Sequence, residues 1–183
     1  AMVSRLTTQK GANLIADLLP EFRESNMQLA VLGTGDYLYE HAIADFAYHN
    51  QSRFAARITF DEKLSRRFYA GADVFLMPSE FEPCGLAQMI SMRYGTLPLV
   101  RKTGGLKDTV RGYWENAEEA NGFSFKDFDA NGLCSAVDLA LGLWSDQKDT
   151  WKQMQQNAVS MHFGWEESAE KYLELYDSLL GKI

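Results

Sequence analysis

Two basic residues bracket a short loop near the start of the chain. Arg5 and Lys10 stand five positions apart, between a short apolar segment and a stretch with helical character. Arginine offers a planar fork of donors to a phosphate and lysine a compact point charge, so the pair suits a diphosphate clamp. Two such residues also occur as ordinary surface cations, and the pair alone leaves that alternative open.

A second stretch combines a buried strand, an acidic loop and a helix start. The strand is predicted at Val74–Met77 and the helix start at Gly85. The first amides of that helix, at Gly85, Leu86 and Ala87, would point into the crevice, where their partial positive charge suits a phosphate. Glu82 lies beside this anion site, where a carboxylate is useful if it accepts hydrogen bonds from sugar hydroxyls. The alternative is that Glu82 and its acidic neighbour are ordinary helix N-terminal acids.

Strands and helices alternate along the chain at βαβ spacing. Strands are predicted at Met2–Ser4, Gln28–Leu32, Phe54–Phe60, Val74–Met77, Leu97–Val100 and Gly122–Phe125. Helices are predicted at Gly11–Leu19, Tyr37–Asn50, Glu62–Ala70, Gly85–Arg93, Leu106–Arg111, Asp129–Trp144, Asp149–His162 and Trp165–Leu180. This alternation predicts right-handed crossovers and one doubly wound parallel sheet, in a single α/β domain over residues 1–183. Such sheets bind ligands at the carboxyl ends of their strands, where both stretches above lie.

Three features of this pattern bear on packing and on chemistry. Apolar residues recur at helical spacing from Trp165 to Leu180, which favours packing of the last helix on the core. Asp127 and Asp129 match an Asp-x-Asp motif that can bind a metal ion, but Asp129 also suits the N-cap of a helix, which is our interpretation. Lys102 follows the fifth strand, and we assign it no catalytic role.

Composition narrows the classes of function. A chain of 183 residues with 46% hydrophobic residues is long enough to build one substantial core. Its net charge of −7 argues against a nucleic-acid partner, which would need clustered cations. The two cysteines form no disulfide framework, which suits a reducing compartment. No apolar run approaches the roughly 20 residues that cross a bilayer, so no membrane partner is expected.

Four ordered blocks are similar to the signature of bacterial glycogen synthases and plant starch synthases. They are Ser4–Gly11, Pro78–Leu86, Arg93–Arg101 and Thr103–Val110. The resemblance implies the C-terminal, Rossmann-like, donor-binding domain of a retaining GT-B glucosyltransferase. It also implies transfer of glucose from ADP-glucose to the non-reducing end of an α-1,4-glucan, with no metal and no cofactor besides the donor.

The resemblance assigns catalytic roles to three of the residues singled out above. Arg5 and Lys10 occupy the positions of the family's diphosphate-binding cations, and Glu82 that of the acidic residue that contacts the transferred glucose. Bond cleavage leaves negative charge on the departing diphosphate, and fixed cations stabilise that charge where it develops.

Five further residues are assigned to substrate binding on the same basis. The amides of Cys84 and Gly85 would meet sugar hydroxyls, and those of Leu86 and Ala87 the distal phosphate. Phe60 falls where the family commonly places a tyrosine against the nucleobase, and it keeps the stacking face.

The glucan acceptor is expected on an N-terminal domain absent from this chain, so the isolated domain is predicted to be inactive. The resemblance implies a location in the bacterial cytoplasm or, for a plant protein, in the plastid stroma. Two other functions remain open: another retaining GT-B transferase, and a non-catalytic nucleotide-sugar-binding module. The run from Glu82 to Leu86 favours a glycogen or starch synthase over the first of these.

Overall fold

Six short strands and a series of helices make up the computed structural model, which describes residues 1–181, with the backbone alone at Glu167. The last two residues of the predicted 1–183 domain lie outside this range. The strands are β1 Met2–Val3, β2 Leu29–Leu32, β3 Phe54–Arg57, β4 Val74–Met77, β5 Leu97–Arg101 and β6 Phe123–Phe125. The helices are α1 Ala12–Asp17, α2 Leu19–Glu24, α3 Tyr37–His49, α4 Glu62–Gly71, α5 Ala87–Arg93, α6 Gly104–Thr109, α7 Ala130–Asp146, α8 Lys148–Ser160 and α9 Trp165–Leu179.

All strand pairs are parallel, as the alternating pattern predicts. β1, β2 and β3 form one three-stranded sheet, and β4, β5 and β6 form another. The two sheets meet where the amide of Leu76 in β4 donates to the carbonyl of Ala1, beside β1, at 2.8 Å. The spatial order is therefore β3-β2-β1-β4-β5-β6, the doubly wound Rossmann order. Successive strands are added outward in one direction from β1 to β3 and in the opposite direction from β4 to β6, so the order of the strands reverses between β1 and β4. The predicted fold class is confirmed.

The core lies between this sheet and the helices on its two faces. α1 contacts α3 and α7, while α5 contacts α4 and α8. Strand residues are apolar on both sides of the sheet because both sides are covered. Phe75, Leu97, Leu99 and Phe123 are each at most 1% exposed. Each such side chain contributes about 1.5–3 kcal/mol on burial.

The last helix departs from its predicted packing. Its apolar residues do recur at helical spacing, but Trp165 is 82% exposed, Leu173 63% and Tyr176 55%. α9 therefore lies away from the core that the rest of the described chain builds, and the predicted core packing is wrong.

None of the helices in residues 1–181 is both long enough and apolar enough to span a membrane.

Two other boundaries shift for reasons of backbone geometry. α5 begins at Ala87 and not at Gly85, because Gly85 has a φ of 78°, in the left-handed region that a right-handed helix excludes. β3 ends at Arg57, where a turn between the Thr59 amide and the Arg57 carbonyl ends the pairing. Phe60 consequently lies in a loop and not at the end of a strand.

Candidate functional site

The loops after β1 and after β4 meet at the point where the two sheets join. A cavity of about 130 Å³ lies between them. Its walls come from both strands and both loops, and they comprise Met2, Val3, Ser4, Lys10, Leu76, Met77, Ser79, Glu82, Gly85, Leu86 and Ala87. In doubly wound sheets, this reversal point at the carboxyl ends of the strands is where ligands bind.

The lining of the cavity includes an ion pair between the two loops. The Lys10 ammonium contacts the Glu82 carboxylate directly, across 72 positions of sequence. The side chains are only 20% and 9% exposed, and the Ser79 hydroxyl lies 3.4 Å from the same Glu82 oxygen. Removing both charges from water costs several kcal/mol per ion, and replacing such a pair with apolar residues is often neutral or stabilising. The placement of this pair in a cavity therefore points to ligand binding.

A glycine lets the first loop approach the second. Lys10 ends a single 3₁₀ turn, Thr8–Lys10, and Gly11 follows with a φ of 75°. A Cβ on Gly11 would lie 2.2 Å from the Pro78 carbonyl oxygen. Only glycine accepts both the left-handed backbone and the close contact, which brings Lys10 against the end of β4.

The segment Ser79–Glu82, called the acidic loop below, is held by hydrogen bonds with other segments. The Glu80 amide donates to the Gln9 carbonyl at 2.9 Å. On the other side, the Gly105 amide donates to the Glu82 carbonyl at 3.2 Å, and a Cβ on Gly104 would lie 2.0 Å from that oxygen. The glycine pair at the start of α6 therefore lets that helix seat against the backbone of Glu82.

The start of α5 supplies the remaining polar wall. Gly85, Leu86 and Ala87 line the cavity, and the first N–H groups of a helix have no partner within it. Cys84 is exposed and does not line the cavity, and its thiol lies 3.6 Å from the Gly85 carbonyl. The structure thus brings together Lys10, Glu82 and the segment from Gly85 to Ala87.

Arg5 and Phe60 lie outside the cavity lining. Arg5 is exposed, and its guanidinium donates to the Gln9 side chain at 3.1 Å. Phe60 is 88% exposed, in the loop between β3 and α4. Both lie in loops that follow strands of the first sheet, on the same edge as the cavity, but the structure does not join them to the Lys10–Glu82 pair.

Sequence reasoning missed two residues that organise the site. Ser79 lines the cavity beside Glu82, and Gln9 bonds to Arg5, to the Glu80 amide and, at 3.4 Å, to the Phe81 carbonyl. Both lie inside the blocks already singled out. Their polar side chains, near Lys10 and Glu82 in the sequence, were the feature by which the sequence could have identified them as site residues.

The residues interpreted as structural are found in structural contacts. The Asp129 carboxylate accepts from the Gly132 amide at 2.7 Å and caps α7. Lys102 lies 2.8 Å from Glu115 and does not line the cavity. Partial burial alone would raise the pKa of Glu115, but hydrogen bonds from Lys102 and Ser124 outweigh it and hold this pKa below its usual value.

Within residues 1–181, no three acidic, histidine or cysteine side chains cluster as metal ligands would.

The fold and the crevice define the chain as a Rossmann-like domain with a ligand crevice at the carboxyl ends of its strands. The family described as Glycosyl transferases group 1 matches residues 1–160, and the chain belongs to it. This membership and the relatives named next together confirm the predicted resemblance to glycogen and starch synthases.

Within this family, the chain is similar to glycogen synthases and to a starch synthase. The chain is 49% identical to a glycogen synthase of Desulfitobacterium hafniense over 98% of its own length and 38% of that protein's. It is 45% identical to a glycogen synthase of Thermotoga petrophila over 100% of this chain and 37% of that one. Among solved structures, the catalytic domain of starch synthase IV from Arabidopsis thaliana, bound to ADP and acarbose, superposes with a TM-score of 0.86 at 33% identity. That match covers 97% of this chain and 37% of the other. The chain thus spans less than two fifths of these relatives.

Proposed function

We propose that this chain is the donor-binding part of an α-1,4-glucan synthase that transfers glucose from ADP-glucose with retention. The observation that carries the proposal is the Lys10–Glu82 pair at the reversal point of the sheet. One loop there supplies a cation for a diphosphate, and the other supplies a carboxylate for sugar hydroxyls. The glycogen synthase relatives support glucose and glucan as substrates, and the ADP in the Arabidopsis complex supports ADP as the nucleotide.

Lys10 acts on the leaving group in this proposal. Cleavage of the glucosyl–phosphate bond releases ADP with additional negative charge on its distal phosphate. Lys10, mostly buried and fixed against Glu82, stabilises that charge without reorganising. Arg5 adds a second cation from the rim, where its exposure makes its contribution smaller.

Glu82 and the start of α5 hold the sugar and the distal phosphate. The Glu82 carboxylate has one oxygen on Lys10, and its other oxygen can accept from a glucose hydroxyl. The backbone amides from Cys84 to Ala87 donate to the sugar and to the phosphate. These groups recognise a neutral sugar next to an anion, which is the chemistry of a nucleotide sugar.

The cavity encloses only part of such a donor. Its volume of about 130 Å³ is smaller than the roughly 300–1,000 Å³ of typical ligand pockets. The nucleoside would therefore lie along the open edge of the first sheet, where Phe60 is free to stack on the base. No metal is required in this proposal, since protein cations and amides balance the charge of the diphosphate.

Transfer also needs an acceptor in line with the anomeric carbon. Positioning of two reactants can supply roughly 7–11 kcal/mol of a barrier, and we assign the glucan to the part of the relatives that this chain does not span. We expect the 183-residue chain to bind the donor and not to elongate glucan.

The test has two arms. Calorimetric titration of the chain should show ADP binding more tightly than UDP, and equal affinity or no affinity for either would contradict the donor assignment. Fusion to the remaining N-terminal part of the Desulfitobacterium hafniense relative should then give incorporation of labelled glucose from ADP-glucose into glycogen. Turnover by the unfused chain would contradict the division of labour. Binding without transfer in the fusion would favour a non-catalytic module.

A further inference from the structure

The acidic loop has no secondary structure of its own, so its position depends on contacts from outside. All four of its carbonyls, from Ser79 to Glu82, accept a hydrogen bond from another segment. Gln9 and Gly105 supply two of these bonds. The other two come from one side chain, Arg101, which no step of the proposed mechanism uses.

Arg101 is placed to bridge three strand ends. It is the last residue of β5, the strand that lies between β4 and β6. Its guanidinium donates to the Glu80 carbonyl at 2.6 Å and lies 3.5 Å from the Ser79 carbonyl, both in the loop after β4. It also donates to the Lys126 carbonyl at 3.1 Å, in the loop after β6.

An aromatic ring fixes the orientation of the guanidinium. Phe128 lies below it, with the guanidinium carbon 5.6 Å from the ring centroid. A planar, stacked guanidinium with two donor edges can hold two backbone segments at a set distance, which a lysine ammonium cannot do in the same way. Arg101 itself does not line the cavity, and its contacts with the acidic loop are to backbone carbonyls.

We propose that Arg101 is a positioning residue that sets the placement of the Glu82 carboxylate by holding the backbone of the acidic loop. The identity of the ligand in this inference rests on the proposed function. The hold of Arg101 on the acidic loop does not depend on it. The contact at Glu80 is only two residues before Glu82, so a shift of the loop moves the carboxylate relative to the bound sugar. Displacements of about 1 Å at a site can cost up to about 100-fold in rate.

The chain offers a matched control at the other edge of the sheet. Arg53 donates to the carbonyl of Ser25 at 2.5 Å and to that of Arg23, and it lies over the Phe54 ring at 5.7 Å from its centroid. This arrangement repeats that of Arg101, but it lies at the amino end of β3, away from the cavity. Loss of Arg53 therefore reports on the general cost of removing such an anchor.

The first measurement is amide hydrogen exchange of the whole chain. Arg101→Ala should speed exchange of the Glu80 and Gly105 amides by about tenfold or more relative to amides of the core strands, whereas Arg53→Ala should not. Arg101→Lys should give an intermediate increase, because it keeps a donor and loses the fork. Exchange at Glu80 and Gly105 that stays as in the wild-type chain in both Arg101 variants would overturn the inference.

The second measurement separates the sugar from the nucleotide. Arg101→Ala should weaken ADP-glucose binding by about tenfold and ADP binding by less than about threefold, because Glu82 would contact the sugar of the donor directly and the diphosphate only through Lys10. Equal losses for both ligands, or losses matched by Arg53→Ala, would contradict positioning of Glu82. If the wild-type chain binds neither ligand but Arg101→Ala still frees the acidic loop in the exchange experiment, the proposed function fails and the positioning role stands.

Discussion

Lys10 and Glu82 lie in a crevice whose two walls are cross-linked non-covalently, by an ion pair and by hydrogen bonds. Phe60 lies on an open edge of the same sheet. The ion pair is largely buried, and hydrogen bonds with Gln9 and from Gly105 hold the backbone of the acidic loop. Phe60, in contrast, is 88% exposed. The two regions would contact the two ends of one ligand, the glucosyl diphosphate and the nucleobase.

This difference indicates where binding and catalysis should be sensitive to mutation. Groups that stabilise a transition state act best when they are fixed before the substrate arrives. A stacking surface needs only an accessible ring, because any base offers a π-face to it. We therefore expect large effects at the cross-linked end and smaller, additive effects at the open end.

The largest expected effect follows from removing the buried cation. Lys10→Ala, in the fusion with the remaining N-terminal part of a relative, should lower glucose transfer by about 10²–10³-fold, the range for loss of one charge-stabilising donor. The Glu82 carboxylate would also lose its partner. Lys152→Ala, an exposed lysine on α8, serves as the matched control and should leave the rate unchanged. Equal rates of glucose transfer for the two variants would rule out Lys10 as the main cation that stabilises the departing diphosphate.

The next effect tests the approach of the two loops. Gly11→Ala combines a strained φ of 75° with a contact of 2.2 Å to the Pro78 carbonyl, and it should cost about 1–3 kcal/mol of unfolding free energy. It should weaken ADP binding as well, because Lys10 moves away from the crevice. Urea denaturation and calorimetry measure the two losses.

Gly142→Ala is the control for Gly11→Ala, since Gly142 lies inside α7 and a Cβ there meets nothing within 4 Å. It should stabilise the chain by about 0.5–1 kcal/mol, the usual gain of alanine over glycine in a helix. A Gly11 variant as stable as the wild type would show that the close approach is not needed.

A smaller effect is expected at the open end. Phe60→Ala should weaken ADP binding by about 1 kcal/mol, near the lower end for stacking of one base, and leave pyrophosphate binding unchanged. Phe60→Tyr should keep wild-type affinity because it keeps the ring. Tyr48→Ala, on an exposed aromatic residue of α3, is the control. Loss of pyrophosphate affinity in Phe60→Ala would contradict the separation of the two ends.

The smallest effect is expected at Cys84. Its thiol is exposed outside the cavity lining, and only its backbone is assigned a role. Cys84→Ser should therefore keep transfer within about twofold of the wild-type fusion. A loss as large as that of Lys10→Ala would assign chemistry to the sulfur.

The sequence predicted the sheet because its strands are short apolar runs at regular spacing. Parallel order and the location of ligand loops follow from that spacing and from the rules of βαβ connection. That location marked Lys10, Glu82 and the segment from Gly85 to Ala87 as candidates, and the family resemblance assigned their roles. The structure places them around one cavity.

The remaining features depend on contacts that no local pattern contains. The pairing of Lys10 with Glu82 joins positions 72 apart and results from packing of the two loops. The left-handed φ of Gly85 delays the start of α5, although the residue type alone also fits a helix start. The exposed face of α9 has the same periodicity as a core helix, because periodicity reports a stripe and not what covers it.

The most direct test of the cross-linked crevice is an NMR titration of the ¹⁵N-labelled 183-residue chain with ADP and, separately, with adenosine. ADP should shift the amides of Gly11, Gly85, Leu86 and Ala87 most strongly, and these shifts should vanish in Lys10→Ala. Adenosine should perturb only the surroundings of Phe60. ADP shifts that bypass the crevice, or that persist unchanged in Lys10→Ala, would contradict a diphosphate site between the loops after β1 and β4.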